Sequence, residues 1–280
     1  MSDIEHRALH AEAARLIAAA DGLIVAVGAG MGVDSGLPDF RGNSGFWRAY
    51  PALAKARIAF EEIANPATFR RDPVLAWGFY GHRLNLYRST RPHRGFALLR
   101  EIADRLPKGA FVFTSNVDGQ FQQAGYDEKG ICEVHGSIHH LQCLDGCEGW
   151  IGSADNFNPE VDDSTCRLLS PLPRCSHCNS LLRPNILMFG DGDWLGRRSD
   201  AQHRRLEAWL RDMRKPVIVE IGAGNHVPTV RWFSETLGEP LIRINPTEPE
   251  IPGRGVSLPQ GGLAALVGIH AALSAQHFFA

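Results

Sequence analysis

The stretch Gly28-Ala29-Gly30-Met31-Gly32-Val33-Asp34-Ser35-Gly36-Leu37-Pro38-Asp39-Phe40-Arg41-Gly42 follows directly on Leu23-Ile24-Val25-Ala26-Val27, a continuous apolar run. A short apolar run that stops at glycine reads as a strand buried on both faces, as in a parallel sheet. Glycine admits positive φ and close backbone approach. A glycine-rich loop at the carboxyl end of such a strand is where open α/β sheets bind nucleotides. An ordinary strand-to-loop turn also contains glycines, and the fingerprint G-x-G-x-x-G fails because its third glycine falls on Val33. Asp39-Phe40-Arg41 adds chemistry: an acid, an aromatic ring and a guanidinium beside the loop.

The whole stretch resembles the NAD-binding signature of the sirtuins, the NAD-dependent protein deacylases. The resemblance implies that Gly28, Ala29, Gly30 and Asp39 line the cofactor and that Phe40 and Arg41 belong to a loop that closes over it. Met31-Gly32 stands where the family usually has isoleucine and serine.

The chain has 280 residues, 44% hydrophobic and 21% charged, with net charge -2. That composition supports a packed core, and its charge balance does not call for nucleic acid or an anionic membrane as partner. The basic run Arg204–Lys215 carries its apolar residues at helical spacing and reads as a solvated helix face. No apolar run has the length of a membrane span, and residues 1–10 have no secretory apolar region. The expectation is a cytoplasmic protein with reduced thiols.

Outward from the first strand, residues 4–20 read as a helix ending near Asp21-Gly22, 43–95 as a small proline-punctuated helical module, 97–106 as a helix and Phe111–Thr114 as a strand. Residues 131–190 hold all six cysteines and no long periodic segment, which suggests an insertion held by something other than a core. The helix–strand alternation then returns: helix 198–213, strand Val217–Ile221, helix 228–237, strand Leu241–Ile244 and a last helix Gly261–Gln276. The fold class is α/β: a Rossmann-like parallel sheet with helices on both faces. It is expected from 1–42, 96–137 and 191–280, with a helical module at 43–95 and a zinc-binding module at 138–190.

Cys143-x3-Cys147 and Cys175-x2-Cys178, 27 residues apart, have the spacing of a structural zinc site with four thiolate ligands. Such a site would brace an insertion too small for its own core. The alternative is that several are buried small hydrophobes. Sirtuins carry a zinc ribbon at this place, which implies a structural, fully liganded metal. Cys132 and Cys166 have no partner at ligand spacing.

Three further stretches carry chemistry. Thr114-Ser115-Asn116-Val117-Asp118 lies at a strand's carboxyl end, where polar side chains face the ligand crevice. It resembles the family's T-Q-N-x-D, which implies that Asp118 meets the nicotinamide carboxamide and Asn116 orients the ribose and a water, with Ser115 in place of a ribose-touching glutamine. Glu133-Val134-His135-Gly136 resembles the catalytic H-G. A lone histidine is more often a packing group, but an imidazole can take a proton from a ribose hydroxyl near neutral pH. Gly222-Ala223-Gly224-Asn225 and Ile244-Asn245 resemble the loops that hold phosphate and adenosine ribose, which implies cofactor contacts from Gly222, Gly224 and Asn245. Gly224 replaces a serine there.

Arg183–Asp191 resembles R-P-x-V-V-x-F-G-E, the extended segment against which an acyl-lysine peptide lies. That implies substrate contacts from Leu187, Phe189 and Gly190, with backbone groups offered for strand addition. Tyr80 and Arg83 share a helix face and resemble the tyrosine-x-x-arginine pair of sirtuins that remove succinyl or malonyl groups. Otherwise Tyr80 packs and Arg83 is solvated.

The resemblance therefore implies NAD-dependent deacylation of an acyl-lysine protein. The acyl oxygen attacks the nicotinamide-bearing ribose carbon, His135 takes a ribose proton, and the products are lysine, nicotinamide and O-acyl-ADP-ribose. NAD is then a co-substrate and zinc a structural ion. Two rival readings use the same pocket: an NAD glycohydrolase or ADP-ribosyltransferase, and a non-enzymatic NAD-binding regulator.

Overall fold

The computed structural model describes residues 2–39 and 42–280, without the side chains of 42–44. Its strands are β1 Gly22–Val27, β2 Ala110–Thr114, β3 Ile131–Glu133, β4 Gly136–Cys143, β5 Ile151–Ser153, β6 Val161–Asp162, β7 Arg167–Leu168, β8 Leu182–Ile186, β9 Pro216–Ile221, β10 Leu241–Ile244 and β11 Gly255–Leu258. Six of them form one sheet in the order β11-β10-β9-β1-β2-β3, every pairing parallel. The apolar run of β1 is central, with Val25 opposite Val112 on one side and Val219 on the other. Successive side chains alternate faces. Leu23, Val25 and Val27 pack with helices Asp3–Ala18, Arg94–Ala103 and Gly262–Ala275, while Ile24 and Ala26 pack with Leu206 and Val230 on the opposite face.

Chain order runs outward from β1 to β3 on one side and from β9 to β11 on the other. The order of the sheet therefore reverses between β1 and β9, and a crevice opens beyond their carboxyl ends. The loops 28–36 and 222–225 meet there.

The second body differs from expectation in one respect. The cysteine segment does not depend on a metal alone, because Leu141, Leu144, Ala154, Cys166, Leu168 and Leu182 share a core with Phe46, Phe69, Trp77, Phe79 and Tyr80 of the helical stretch. Two insertions far apart in sequence thus bury each other. Helix Pro73–Ser89 is the contact: Trp77 Nε1 donates to the Leu182 carbonyl at 2.8 Å, and a Cβ at Gly78 would lie 2.0 Å from the Cys166 carbonyl oxygen.

Two strands of the six-stranded sheet were not anticipated, nor were the strands β4 to β7. β3 belongs to the main sheet although it lies inside the cysteine-rich stretch, and β11 is a four-residue edge strand. Helix Arg94–Ala103 starts earlier than its apolar pattern implied because the His93 side chain caps it. Among the described residues no helix is long and apolar enough to cross a membrane.

Candidate active site

A cavity of about 390 Å³ lies at the crevice. Gly28, Ala29 and Gly30 line it from β1, Ser115, Asn116 and Asp118 from β2, His135 from β3, and Gly222, Ala223 and Gly224 from β9. Leu37, Pro38 and Asp39 add one side, and Tyr80, Arg83, Leu187 and Phe189 the other. Phe40 and Arg41 lie outside the described residues.

The glycines also bring two loops together. A Cβ at Gly30 would stand 2.6 Å from the Gly222 Cα, and Gly222 itself has φ +62°. Gly30 N–H donates to the Gly222 carbonyl at 3.0 Å, and Gly28 N–H to the Ile221 carbonyl at 3.0 Å. The glycines let two strand-end loops touch, and the touching loops make the floor. Gly224 is not constrained in this way, since its nearest neighbour would be Glu248 Oε2 at 3.8 Å.

Asn116 Nδ2 donates to the Gly28 carbonyl at 3.0 Å, and its backbone N–H donates to Thr114 Oγ1 at 3.0 Å. Asp118 is buried, and its Oδ1 accepts from Gln120 N–H at 2.9 Å. Burial, helped by the Glu133 carboxylate, pushes its pKa up to about 6; the Gln120 N–H and the Arg83 charge oppose the shift.

His135 sits half-buried, with Nε2 3.3 Å from Thr229 Oγ1. Burial lowers its pKa, against a hydrogen bond to the Ser115 backbone that raises it. Its carbonyl accepts from Leu187 N–H at 2.9 Å, which ties the histidine to the extended segment. Gly136, at φ +78°, has the Asn185 carbonyl oxygen 2.0 Å from where a Cβ would stand. A glycine after the histidine is thus required by the β4–β8 contact.

The extended segment is braced from below. Arg183 and Asp191 form a fully buried bidentate pair, at 2.7 and 2.8 Å, and Asp191 Oδ2 also accepts from Met188 N–H at 3.2 Å. Leu187 and Phe189 reach the cavity; Gly190 is not part of its wall. Asn245 is also outside the wall. It is fully buried and donates to the Ala223 carbonyl at 2.9 Å, so it supports the floor from behind.

Arg83 is buried, not solvated. Its Nε and Nη2 donate to the Tyr87 hydroxyl at 3.0 and 2.7 Å, and its guanidinium lies 5.3 to 5.7 Å from the ring centres of Phe79, Tyr80 and Tyr87. Tyr80 is fully enclosed, and burial pushes its hydroxyl up to about 12. Sequence reasoning missed Tyr87, although its i, i+4 spacing from Arg83 signals a shared face. It also missed Phe60 and Thr229, each the first residue of a short helix, and His226 in a loop that no periodicity marks.

Away from the cavity, the sulfurs of Cys143, Cys175 and Cys178 lie within 4.8 Å of one another, and Cys143 and Cys178 are 3.6 Å apart. Four thiolates around zinc with bonds of ~2.3 Å would stand ~3.8 Å apart, so the donor set fits that ion. Cys147 lies outside that tight group, but its hydrogen bond with Cys178 is the largest influence on its thiol, which is pushed up to about 12. Backbone N–H groups of Cys147 and Asp145 serve the Cys143 sulfur. Bound there, zinc would join β4 to the 175–178 turn and stand apart from the reacting residues. Elemental analysis of protein never exposed to chelator should find about one zinc per chain, and its absence would remove the assignment. Cys178→Ser should lower the unfolding temperature before it changes turnover.

Comparison with known proteins bears on the same residues. The Sir2 family model matches residues 28–241. The chain is 35% identical over 180 residues to an NAD-dependent protein deacylase of Pyrococcus furiosus, covering 64% of this chain and 65% of the relative. It is 32% identical over 183 residues to the mitochondrial NAD-dependent protein deacylase sirtuin-5 of Danio rerio, covering 60% and 57%. The chain thus spans less than two thirds of the length of these curated relatives. Among solved structures, a Sir2 homolog–NAD complex superposes with a TM-score of 0.63 at 25% identity, over 94% of this chain and 93% of that one.

Proposed function

This chain belongs to the Sir2 family, and on that footing we propose that it is an NAD-dependent protein-lysine deacylase. The observation that carries the reading is one cavity holding Asn116, Asp118 and His135 against two glycine loops. NAD, as co-substrate, supplies the ADP-ribose that accepts the acyl group and releases nicotinamide.

The chain's own residues divide the work. The touching loops at Gly30 and Gly222 form a narrow backbone floor for the nucleotide. Asp118 offers a buried carboxylate to the amide N–H groups of nicotinamide. Asn116 Nδ2 is held by the Gly28 carbonyl, which leaves its Oδ1 to accept from a ribose hydroxyl or a water. His135 is neutral at pH 7, since burial lowers its pKa. The ring is held by a hydrogen bond to the Ser115 backbone, and Nε2, now against Thr229, is the nitrogen that takes a ribose proton in place of that contact. Leu187 and Phe189 flank the lysine stem. The N–H groups of Leu187, Met188 and Phe189 already donate to His135, Asp191 and Ala64, so a peptide lying along them donates its own N–H groups to their carbonyls.

Incubation with NAD, with and without acyl-lysine peptide, tests this reading. Nicotinamide release that needs the peptide is expected. Release without peptide points instead to NAD hydrolysis, and binding without release to a regulator.

The acyl group we assign is one that ends in a carboxylate, such as succinyl. Arg83 supports this: a buried guanidinium in the wall of the acyl-lysine side of the cavity, steadied by Tyr87 and aromatic rings. Guanidinium binds carboxylate through paired hydrogen bonds. The value of kcat/KM should favour succinyl over acetyl peptides, and Arg83→Met should shift that preference by roughly 1.5–3 kcal/mol. An unchanged ratio in the variant would make simple deacetylation the better assignment.

A further inference from the structure

The turn Ala29–Ser35 lines the cavity at one end and is gripped at the other by a residue that the proposed chemistry does not use. His93 is the N-cap of helix Arg94–Ala103, and its Nδ1 accepts from Gly95 N–H at 3.0 Å. A backbone N–H can only donate, so Nδ1 carries no proton and the neutral ring holds its proton on Nε2. Nε2 lies 3.0 Å from the Met31 carbonyl oxygen and donates to it. The His93 main-chain N–H donates to Ser35 Oγ at 3.0 Å. One residue thus holds the turn at two points.

The site is built around this ring. A Cβ at Gly95 would lie 2.5 Å from His93 Cε1, so the glycine makes the space, and Phe96 lies beside the ring with centroids 5.0 Å apart. Helix Gly262–Ala275 brings the apolar Leu266 to the same corner. Of the charged groups on the packed elements, Asp34 of the turn acts on the ring, and its Oδ2 is itself engaged by Leu263 N–H at 2.8 Å. Arg94, next in the chain, is exposed. Burial lowers the His93 pKa, against the Met31 bond and the Asp34 charge.

We propose that His93 is a positioning residue for nucleotide binding: its neutral, Nε2-protonated ring pins the 29–35 turn to helix 94–103, and protonation at acid pH releases the turn. Protonated Nδ1 would face the Gly95 N–H donor to donor, and a ring that turns away takes Nε2 from Met31. The proposal rests on the reading of the cavity as a nucleotide site.

Two variants test it. Asparagine is a strong N-cap but too short to reach Met31, so His93→Asn keeps the helix start and loses the pin. Gly95→Ala keeps the histidine and evicts its ring. Both should bind ADP-ribose at least about fivefold more weakly at neutral pH, in line with one lost hydrogen bond. Neither should show the part of the acid-side loss of affinity that wild type owes to this ring. In protein without nucleotide, ring 15N resonances should report the Nε2-H tautomer, and the amides of Gly36 and Leu37 should exchange faster in both variants. Equal affinity in wild type and His93→Asn at every pH overturns the proposal, as does the opposite tautomer. If wild type itself binds no ADP-ribose, the nucleotide reading of the cavity fails, and the tautomer and exchange data still decide whether His93 pins the turn.

Discussion

His135→Ala should lower the deacylation rate by about 10²–10⁴, the usual cost of losing a general base, while leaving the fold and most NAD affinity in place. The fold should survive because the main-chain bond that ties this residue to the extended segment does not depend on the ring: the His135 carbonyl accepts from Leu187 N–H at 2.9 Å whatever the side chain. Affinity should survive because the floor is backbone from the 28–30 and 222–224 loops. The pH profile gives a second reading. Burial lowers the His135 pKa, so the base form prevails at neutral pH and activity should fall only on the acid side of the ordinary histidine range. The same lowered pKa means that the unfolded chain binds the proton more readily, so this group contributes to loss of stability as pH falls. Single-turnover acyl transfer on both proteins, with isothermal titration of NAD, separates the two effects. Near-wild-type transfer in the variant would take His135 out of the mechanism. Loss of NAD binding together with activity would make it a structural residue.

The sheet was readable from the sequence because its strands are buried on both faces: Leu23–Val27 and Phe111–Thr114 are apolar runs that end at glycine or polar residues, and Val217–Ile221 and Leu241–Ile244 are apolar but for Glu220 and Arg243, which pair with each other. β3 and β11 were not readable because they are short, and β3 lies within a cysteine-rich stretch where composition pointed to an insertion. In the candidate site, Asn116 and Asp118 were legible because they follow a readable strand, and His135 because His135-Gly136 resembles the family's H-G. It was illegible where tertiary packing sets the role. Nothing in the run around Asn245 says that its amide holds up Ala223. Nothing in Gly28-Ala29-Gly30 separates close approach to a ligand from close approach to Gly222. The shared core of the two insertions is the largest such case. Trp77 and Leu182 are more than a hundred positions apart, and no local pattern in either segment names the other.

Asp118→Asn should stabilise the nucleotide-free protein at neutral pH while removing most of its activity. The carboxyl is raised from 3.8 to about 6, chiefly by burial, and a shift of roughly two units corresponds to about 3 kcal/mol of strain in the ionised folded state. An asparagine has the same shape, and its Oδ1 can still accept from Gln120 N–H, so the local turn is kept. The sign is fixed by the direction of the shift. Above about pH 6 the folded and unfolded chains both carry the charge, and wild type bears the full cost. As pH falls from about 6 towards 3.8 the folded protein takes up the proton first, and the cost fades. The advantage of the variant should therefore be largest near pH 7.5 and nearly gone near pH 4, which urea unfolding of both proteins at the two pH values can measure. A variant less stable than wild type at pH 7.5 would mean that the carboxylate is well paired in the free protein. Ligand linkage supplies the other half. A nicotinamide amide donating to the carboxylate relieves the strain, so NAD should stabilise wild type more than the variant. On the proposed reading, a buried acid that weakens the empty protein and is relieved by its ligand would be a cost accepted for function, which would separate Asp118 from the buried Arg183–Asp191 pair, whose charges already satisfy each other without any ligand.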